Sequence, residues 1–316
     1  MIVLGIETSC DETAASVVKD GKNILSNVIA SSLPLHKKFG GIVPEIASRA
    51  HLESINIVVK EALKKAKEKP KDIDLIAVTS EPGLIGSLLV GVSFAKALSC
   101  SLEKPFLEIN HIQAHLYACF LRGEKPKFPF IGLVISGGHT NLFLVKNFKS
   151  VKILGSTLDD AAGEAFDKVA KILGLGFPGG PIIDRLSKNE RDFRIRFNYA
   201  RLPGSFNFSF SGLKTAVLYY VKKNKRAEKS VVAACFQESV IRNLTEKSIF
   251  ACKKKRINRL VLGGGVVANS RLRERLPVEA ASEGIKVFLP EKDLCVDNAA
   301  MVAGLGYRIF KNGGRS

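Results

Sequence analysis

The sequence predicts an α/β protein made of two similar lobes. Apolar runs typical of strands alternate with stretches in which apolar residues recur every three or four positions, as in amphipathic helices. A strand–turn–strand pattern also occurs twice, within residues 1–18 and within 130–145, about 130 residues apart. The alternation indicates mixed α/β architecture, and the repeat indicates two lobes of the same topology.

In the first half of the chain, residues 1–5 and 14–18 form the first predicted hairpin, and 23–28 form a third strand. The periodic apolar pattern of 51–69 predicts a helix that ends at Pro70, because proline cannot continue a helix. Residues 73–79 read as a buried strand. Pro82 then suits the start of another helix, since its fixed φ matches the first turn.

The second half repeats this order. Residues 130–145 form the second hairpin, and 151–154 form a further strand. Helical periodicity predicts helices over 159–173, 181–188, 231–253 and 269–276. Short apolar runs predict strands at 259–262 and 287–289, the first of which leads into Gly263, Gly264 and Gly265.

The charge balance points to a polyanionic partner. At 316 residues the chain has room for two domains, and its 48 Lys and Arg against 30 Asp and Glu give a net charge of +18. Cationic residues concentrate in 60–71, 188–201, 222–229 and 253–259. This pattern favours a nucleic acid as partner. The alternative is a lysine-rich solvated surface of the kind common in thermophile proteins.

Several features predict a cytoplasmic protein that does not associate with a membrane. The six cysteines show no paired spacing, which is typical of buried thiols in a reducing compartment. The acidic residues near the N-terminus do not fit a secretory signal. The apolar segment 84–100 is interrupted by Gly86, Gly91 and Lys96, so we expect it not to span a bilayer.

The pair His111 and His115 suggests a metal site. Residues four apart lie on the same face of a helix, where two imidazoles can chelate one divalent ion. Asp297, at a predicted strand-to-helix junction, is the best candidate for a third ligand, and two His with one carboxylate suit Fe(II) or Zn(II). The alternative is a pair of ordinary polar helix residues. Ile112 follows His111, so the glutamate of a zinc protease is missing.

The two hairpin turns are candidates for binding phosphate. The first turn carries Asp11 and Glu12, and the second contains Ser136, Gly137 and Gly138. Polar turns rich in glycine can bring backbone N–H groups close to an anion. Each turn taken alone could be a plain surface turn, but two in matching positions favour a phosphate-binding role.

Three further polar residues have both a functional and a structural interpretation, and a run of glycines lies close to one of them in the chain. Asp167 and Asp184 could accept hydrogen bonds from ribose hydroxyls, or they could serve as a helix ion pair and a carboxylate at a helix start. The glycines 263–265 allow a ring or a phosphate to approach the backbone. Asn269 could contact a ligand or cap the helix that follows it.

The ordered set of motifs resembles the TsaD family, the tRNA threonylcarbamoyladenosine transferases formerly called O-sialoglycoprotein endopeptidases. The resemblance extends from residue 2 to about residue 306 and rests on residues 6–13, 40–45, 110–115, 136–140, 166–169 and 297–301. Residues 40–45 resemble the bacterial branch of the family. The resemblance implies an actin-like (ASKHA) fold, with two duplicated ribonuclease-H-like lobes and a nucleotide cleft between them.

The resemblance also implies a domain division and a set of site residues. The first lobe would comprise 1–110 together with a C-terminal helix over 296–316, and the second lobe 111–295. The implied metal ligands are His111, His115 and Asp297. The implied substrate contacts are Val134, Ile135, Ser136, Gly137, Gly138, His139, Asp167, Gly180, Asp184 and Asn269. Asp11 and Glu12 are candidates for assisting proton removal from the attacking amine.

The implied reaction transfers a threonylcarbamoyl group from threonylcarbamoyl-AMP to the N6 amine of the tRNA adenosine 3′ of the anticodon, in tRNAs that read ANN codons. AMP leaves, an adenine nucleotide occupies the cleft, and one divalent metal is bound, with iron favoured and zinc possible. TsaB and TsaE are the implied protein partners. The alternatives are an actin-like or sugar-kinase-like ATPase, a metalloprotease, and a non-catalytic tRNA scaffold.

Overall fold

The computed structural model describes residues 1–313 and divides the chain into two compact units. Unit 1 contains Met1–Lys125 and the chain from Val296 onward, and unit 2 is Pro126–Cys295. This division lies 15 residues after the expected boundary at 110. The reason is packing, because a Cβ on Gly304 of the C-terminal helix would lie in van der Waals overlap with the ring of Tyr117. Residues 314–316 of the predicted C-terminal helix lie outside the described residues.

Unit 1 is built on one mixed sheet. Its strands are β1 (Ile2–Glu7), β2 (Glu12–Lys19), β3 (Asn23–Ser31), β4 (Leu75–Glu81) and β5 (Phe106–Asn110). The sheet order is β3-β2-β1-β4-β5, with β1 antiparallel to β2 and parallel to β4. Its helices are α1 (Leu33–His36), α2 (Pro44–Ala66), α3 (Ile85–Leu102), α4 (His111–Tyr117) and, last in the chain, α10 (Ala299–Lys311).

The core of unit 1 follows from the sequence pattern. The strands β1 and β4 are almost entirely buried, as expected for apolar strands in the centre of a sheet. α2 buries Ile55, Val58, Val59 and Ala62 against this sheet, which confirms the predicted helical period. A Cβ at Gly5 of β1 would clash with the carbonyl of Ala299, the first residue of α10. α10 therefore packs directly on the backbone of the sheet.

Unit 2 has a sheet of the same topology. Its strands are β6 (Phe130–Ile135), β7 (Thr140–Asn147), β8 (Ser150–Ser156), β9 (Arg259–Gly263) and β10 (Lys286–Phe288). The order is β10-β9-β6-β7-β8, with β6 antiparallel to β7 and parallel to β9. Its helices are α5 (Ala162–Ile172), α6 (Gly179–Ser187), α7 (Ser211–Lys223), α8 (Lys229–Lys255) and α9 (Ser270–Ser282).

The two sheets confirm the predicted repeat. In both, the first three strands form an antiparallel meander, and the fourth and fifth strands add in parallel on the side of the first strand. The long buried face of α8 fills the core of unit 2, where Phe236 packs edge-on against Phe166 of α5. The mixed α/β class and the duplicated hairpin were therefore predicted correctly.

Three predicted helix starts were wrong. α3 begins at Ile85 and not at Pro82, because the Leu84 N–H donates to the Ser9 carbonyl at 2.8 Å in the turn before the helix. The helix predicted over 51–69 begins earlier, at Pro44, and ends before Lys67, which adopts the left-handed conformation of a helix C-terminus. The helix predicted from 159 begins at Ala162, because the Asp159 carboxylate is used elsewhere. It accepts hydrogen bonds from the N–H groups of Phe210 and Ser211 where α7 begins.

α3 is apolar and only partly buried. By length and composition alone it passes as a possible membrane span, with only 17% of its residues buried. It nevertheless carries Gly86, Gly91 and Lys96, and a Cβ on Gly86 would touch the Ser48 hydroxyl of α2. Such a helix, packed on a sheet and a neighbouring helix, leaves an apolar face on the surface of unit 1.

Candidate functional site

The histidine pair is positioned by the end of strand β5. The side chain of Asn110, the last residue of β5, accepts a hydrogen bond from the Gln113 N–H at 3.1 Å and so caps α4. His111 and His115 therefore occupy the first and fifth positions of a short helix, on one face. Both imidazoles are buried, and their ring centroids are 4.5 Å apart.

Asp297 comes to the same place from the other end of the chain. It directly precedes Asn298, which caps α10 by accepting a hydrogen bond from the Met301 N–H at 3.1 Å. Its Oδ1 lies 3.1 Å from His115 Nε2 and 3.6 Å from His111 Nε2. One nitrogen or oxygen atom from each of the three side chains lies within 4.8 Å of the others.

These atoms fit a divalent metal. Nitrogen and oxygen ligands ~2.1 Å from one ion lie roughly 3.0–3.5 Å from each other, close to the observed distances. Both ring nitrogens of His115 are buried, and within the described residues neither makes a hydrogen bond of acceptable geometry. A buried imidazole without a hydrogen bond is costly, and coordination of a metal by Nε2, the nitrogen that faces Asp297, would remove part of that cost.

Glu7 orients His111. This residue ends β1 and is fully buried, and its Oε2 lies 3.0 Å from His111 Nδ1. The Ser9 N–H and the Thr79 hydroxyl each donate to the Glu7 carboxylate at 2.6 Å. A carboxylate that holds one ring nitrogen directs the other toward a metal and increases its basicity. His111 Nε2, which faces Asp297, is thus the atom available for a metal.

The two histidines differ in their electrostatics. Burial works to lower the pKa of His111, but the carboxylates of Glu7 and Asp297 outweigh it and raise the pKa to about 9. Burial, together with the charge on His111, lowers the pKa of His115 and keeps that ring neutral. Since a metal binds neutral imidazole, metal binding at this site competes with a proton on His111.

Asp11 and Glu12 lie at the start of β2, also in unit 1. Burial raises the pKa of Glu12 to about 7, although the Ser31 hydroxyl donates to its Oε1 at 2.8 Å. Its Oε2 is buried without a hydrogen-bond partner among residues 1–313. Burial, followed by the charge of Asp297, also raises the pKa of Asp11. A carboxyl group that titrates near neutral pH can act as a general base.

The second hairpin forms a tight, open turn in unit 2. The Ser136 N–H donates to the His139 carbonyl at 2.8 Å, and the His139 N–H donates to Ser136 Oγ at 3.1 Å. Gly137 and Gly138 are exposed, and no atom lies within 4 Å of where their Cβ atoms would stand. A ligand can therefore approach the turn backbone closely.

Asp167 connects α5 to the start of α6. Its Oδ1 accepts a hydrogen bond from the Gly179 N–H at 2.7 Å. A Cβ at Gly179 would clash with the Phe166 carbonyl and with Asp167 Cα, so glycine permits this approach. Gly180, the next residue, has open space where its Cβ would stand.

Asp184 and Asn269 meet at the start of α9. Asp184 accepts hydrogen bonds from the N–H and the hydroxyl of Ser270, the latter at 2.7 Å. Asn269 caps α9 by accepting from the Leu272 N–H at 3.0 Å, and its amide donates to Gln237 Oε1 at 2.7 Å. The structural interpretation of Asn269 as a helix cap is confirmed, and its side chain is buried.

The predicted substrate residues of unit 2 are linked to one another by direct contacts. The Gly163 N–H at the start of α5 donates to the Ser136 carbonyl at 3.2 Å. A Cβ on Gly264, after β9, would lie against the Ile135 carbonyl. The hairpin, α5, α6 and the start of α9 thus border one region at the ends of β6 and β9. The side chains of Val134 and Ile135 lie in the core, so only their backbone is near this region.

Glu7 and Thr79 are the residues that sequence reasoning missed. Both lie at the ends of buried strands, and a carboxylate at the end of the apolar run 2–7 was a visible signal. A charged side chain in such a strand needs a partner, which here is His111.

The chain matches the family model of TsaD, tRNA N6-adenosine threonylcarbamoyltransferase, over residues 23–304. A tRNA N6-adenosine threonylcarbamoyltransferase of Dictyoglomus turgidum is 50% identical over 322 residues, which cover 100% of this chain and 96% of that protein. The one from Thermosipho africanus is 52% identical over 316 residues, covering 99% and 96%.

Solved structures with the same architecture are more distant in sequence. Full-length HypF in its phosphate- and nucleotide-bound form has a TM-score of 0.67 at 16% identity, covering 100% of this chain and 47% of that one. The ROK hexokinase of Thermus thermophilus has a TM-score of 0.54 at 16% identity, covering 99% and 100%. These likenesses confirm the predicted actin-like fold.

Proposed function

The chain belongs to the TsaD family of tRNA N6-adenosine threonylcarbamoyltransferases, and we propose that its activity depends on a divalent metal held by His111, His115 and Asp297. The family membership makes it an enzyme of tRNA modification. We assign the donor as threonylcarbamoyl-AMP and the acceptor as the N6 amine of the adenosine 3′ of the anticodon, in tRNAs that read ANN codons. The carbamoyl carbon forms a bond to N6, its bond to the phosphate oxygen breaks, and AMP leaves.

The observation that carries the metal proposal is the buried ring of His115. This ring lies next to Asp297, yet within residues 1–313 neither of its nitrogens makes a hydrogen bond of acceptable geometry. When bound, the metal supplies Lewis acidity and fixed positive charge toward the carbamoyl carbonyl, or toward the carboxylate or phosphate of the donor. Two imidazoles and one carboxylate suit Fe(II), which we favour, and also Zn(II).

In unit 1, Glu7 holds the imidazole of His111 in the orientation that directs Nε2 toward Asp297. Glu12, with its pKa near 7, is our candidate for accepting the proton that leaves the attacking amine, and Asp11 is the second candidate. A base of this pKa is about half deprotonated at neutral pH.

In unit 2, the backbone of 136–139 binds the phosphate of the departing AMP, as glycine turns bind anions elsewhere. Asp167, Gly180, Asp184 and Asn269 position the adenosine. Asp184 already accepts from Ser270, but a carboxylate has lone pairs for a further donor such as a ribose hydroxyl. The oxygen of Asn269 is engaged in the helix cap.

We assign the exposed apolar residues of α2 and α3 to a protein partner, with TsaB as the occupant and TsaE as a further component of the assembly. Leu52 and Ile57 of α2 and Ile85 and Leu89 of α3 are each at least 65% exposed. Apolar side chains of this size on two adjoining helices favour a protein interface.

The partner assignment is tested with Leu89→Glu in unit 1. The control is Val278→Glu, an equally exposed apolar residue of α9 in unit 2. Titration calorimetry with TsaB should show weaker binding by Leu89→Glu and unchanged binding by Val278→Glu. Equal binding by both variants would remove α3 from the interface.

The reaction is tested by incubating the purified protein with unmodified tRNA and threonylcarbamoyl-AMP, with and without TsaB, TsaE and added Fe or Zn. The tRNA is then digested for nucleoside mass spectrometry. We expect threonylcarbamoyladenosine, and a loss of at least about a hundredfold in rate in His111→Ala, since a Lewis acid contributes several kcal/mol.

The control variant is Lys152→Ala, an exposed residue of β8. Full activity of His111→Ala in metal-free buffer would contradict the metal proposal. A lack of modified adenosine under every condition, with ADP formed from ATP, would instead favour the actin-like ATPase.

A further inference from the structure

A cavity lies in unit 2, between α8 and residues 193–201, which form no regular secondary structure. Its volume is about 510 Å³. Phe197 is buried and anchors the segment in the core. Cys235 of α8 donates through Sγ to the Asp192 carbonyl at 3.5 Å, at the start of the segment. The cavity is thus a part of the folded unit.

Arginine side chains line this cavity without acidic partners. Within residues 1–313, Arg196, Arg201 and Arg242 form no ion pair and no side-chain hydrogen bond. Three like charges around one cavity repel one another, so the arrangement is unfavourable until an anion binds. The guanidinium group, with its fork of N–H donors, matches the oxygens of a phosphate.

The acidic residues nearby are already engaged. Glu238 lines the cavity, but it forms ion pairs with Arg271, at 3.0 Å, and with Arg275. Glu246 accepts a hydrogen bond from the Tyr199 hydroxyl at 2.6 Å, but it is not among the residues that line the cavity. The lining thus offers a ligand three arginines against one glutamate that is already paired, and its net charge is positive.

Aromatic rings line the same cavity as these arginines. Phe193 is 39% exposed, with the Arg271 guanidinium 6.0 Å from its ring centroid, and Tyr199 also lines the cavity. Arginines alternating with accessible aromatic rings are typical of surfaces that bind unpaired RNA, because bases stack on the rings while phosphates meet the cations.

The basic surface continues beyond the cavity. The Phe197 ring packs edge-on against Tyr220 at 5.8 Å, and Tyr220 lines a neighbouring pocket at the α7–α8 connection. The exposed cations of that pocket are Lys222, Lys223, Lys225 and Arg226. Two adjoining basic pockets suit an extended polyanion better than a single small anion.

We propose that the cavity lined by Arg196, Arg201 and Arg242 binds the phosphate backbone of the tRNA substrate. We call it the arginine pocket. The proposal rests on the proposed function, which identifies the RNA as tRNA. The net charge of +18 predicts that the protein binds a polyanion, and the arginine pocket is the surface to which we assign that binding.

The test measures tRNA binding by the full-length chain as a function of salt. The variant is Arg196→Ala/Arg201→Ala/Arg242→Ala. The control is Lys64→Ala/Lys71→Ala/Lys152→Ala, which removes the same charge from exposed positions elsewhere. We expect the arginine variant to bind unmodified tRNA at least about tenfold more weakly, and the slope of log K against log salt to fall by about 3. The control should lose less than about threefold.

Equal affinity and equal slope in the two variants would overturn the proposal. The same holds if the arginine variant keeps its tRNA affinity but no longer associates with a protein partner, since the pocket would then be a protein-docking surface. Failure of the proposed function is recognised separately, because wild-type protein would then bind tRNA without forming threonylcarbamoyladenosine.

A second measurement needs no variant and so does not depend on its folding. Phenylglyoxal modifies accessible arginines, and peptide mass spectrometry reports each site. We expect tRNA to protect Arg196, Arg201 and Arg242 of the wild-type chain, and to leave the exposed Arg49 of α2 reactive. Unchanged modification of all three pocket arginines in saturating tRNA would contradict the proposal.

Discussion

At the scale of single residues, buried carboxylates dominate the chemistry of unit 1. Glu7 is fully buried, yet its pKa is lowered, because His111 and the Thr79 hydroxyl together outweigh the cost of burial. Glu12 has no such cation, so burial raises its pKa to about 7. The first carboxylate therefore stays charged and orients a ring, whereas the second can exchange a proton near neutral pH.

The orienting role of Glu7 predicts a defect in metal affinity. Glu7→Gln should weaken metal binding about 10–100-fold, since the amide can no longer fix the ring of His111 as a carboxylate does. Calorimetry with Fe(II) or Zn(II) under anaerobic conditions measures this change. Glu108→Gln, an exposed carboxylate of β5, is the control, and equal affinities in the two variants would contradict the role.

The raised pKa of Glu12 predicts a pH-dependent change in stability. Its pKa rises from 4.5 in the unfolded chain to about 7 in the fold, so the folded state loses stability as pH increases through that window. Glu12→Gln should therefore unfold at a higher temperature than wild type at pH 8, by about 2–4 °C after discounting for solvent exposure, and at nearly the same temperature at pH 4.

The same carboxylate governs activity if it is the general base. The kcat/KM of wild type should then fall as pH decreases below about 7, and Glu12→Gln should be slow at every pH without that inflection. Thermal scans and rate profiles from pH 4 to pH 9 check both outcomes. A wild-type profile that is flat down to pH 5 would assign the proton transfer to another group.

At the scale of elements, each functional side chain is placed by the end of a strand or the start of a helix. β5 ends at Asn110, which caps α4 and thereby sets the two histidines on one face. β9 ends at Gly263, and the turn after it leads through Gly264 and Gly265 to the cap of α9 at Asn269. These junctions determine where the site residues lie.

The turn after β9 can be tested with two neighbouring glycines. Gly264 has φ +96°, and its Cβ would lie 2.3 Å from the Ile135 carbonyl oxygen, whereas Gly265 has open space. Gly264→Ala should cost about 2–5 kcal/mol of unfolding free energy through strain and overlap, and Gly265→Ala less than about 0.5 kcal/mol. Urea denaturation compares the two. Equal losses would show that the turn relaxes freely.

At the scale of the whole molecule, each unit has its own sheet and hydrophobic core. Unit 2 is one continuous stretch of chain, whereas unit 1 needs α10 from the C-terminal end. α10 packs so closely on β1 that a Cβ at Gly5 would lie 2.2 Å from the Ala299 carbonyl oxygen. The two units therefore differ in what they need to fold.

This difference predicts the behaviour of isolated segments. The segment 126–295 should fold alone and melt cooperatively, since it carries a complete five-stranded sheet and core. The segment 1–125 should not, because it leaves β1 without the helix that covers it. Circular dichroism melting curves check both. A cooperative transition in 1–125 would show that α10 is dispensable for the core of unit 1.

Much of this could be predicted from the sequence. The spacing of the apolar residues predicted α2 and the buried strands, and the repeated hairpin predicted two sheets of the same topology. The His111 and His115 pair is visible because helix geometry converts a spacing of four into one face. The starts of α2 and α5 were misplaced because their first residues have no apolar periodicity or, like Asp159, have alternative hydrogen bonds.

The sequence by itself determined the fold class, the repeat, the histidine pair and the positive charge, since each follows from local periodicity or composition. Only the tertiary structure decided that Glu7 orients His111, 104 positions away, and that Arg196 and Arg242 face one cavity. The physical reason is that local patterns fix the faces of helices and strands. Contacts between residues distant in the chain depend instead on the order and direction of strands in the sheets.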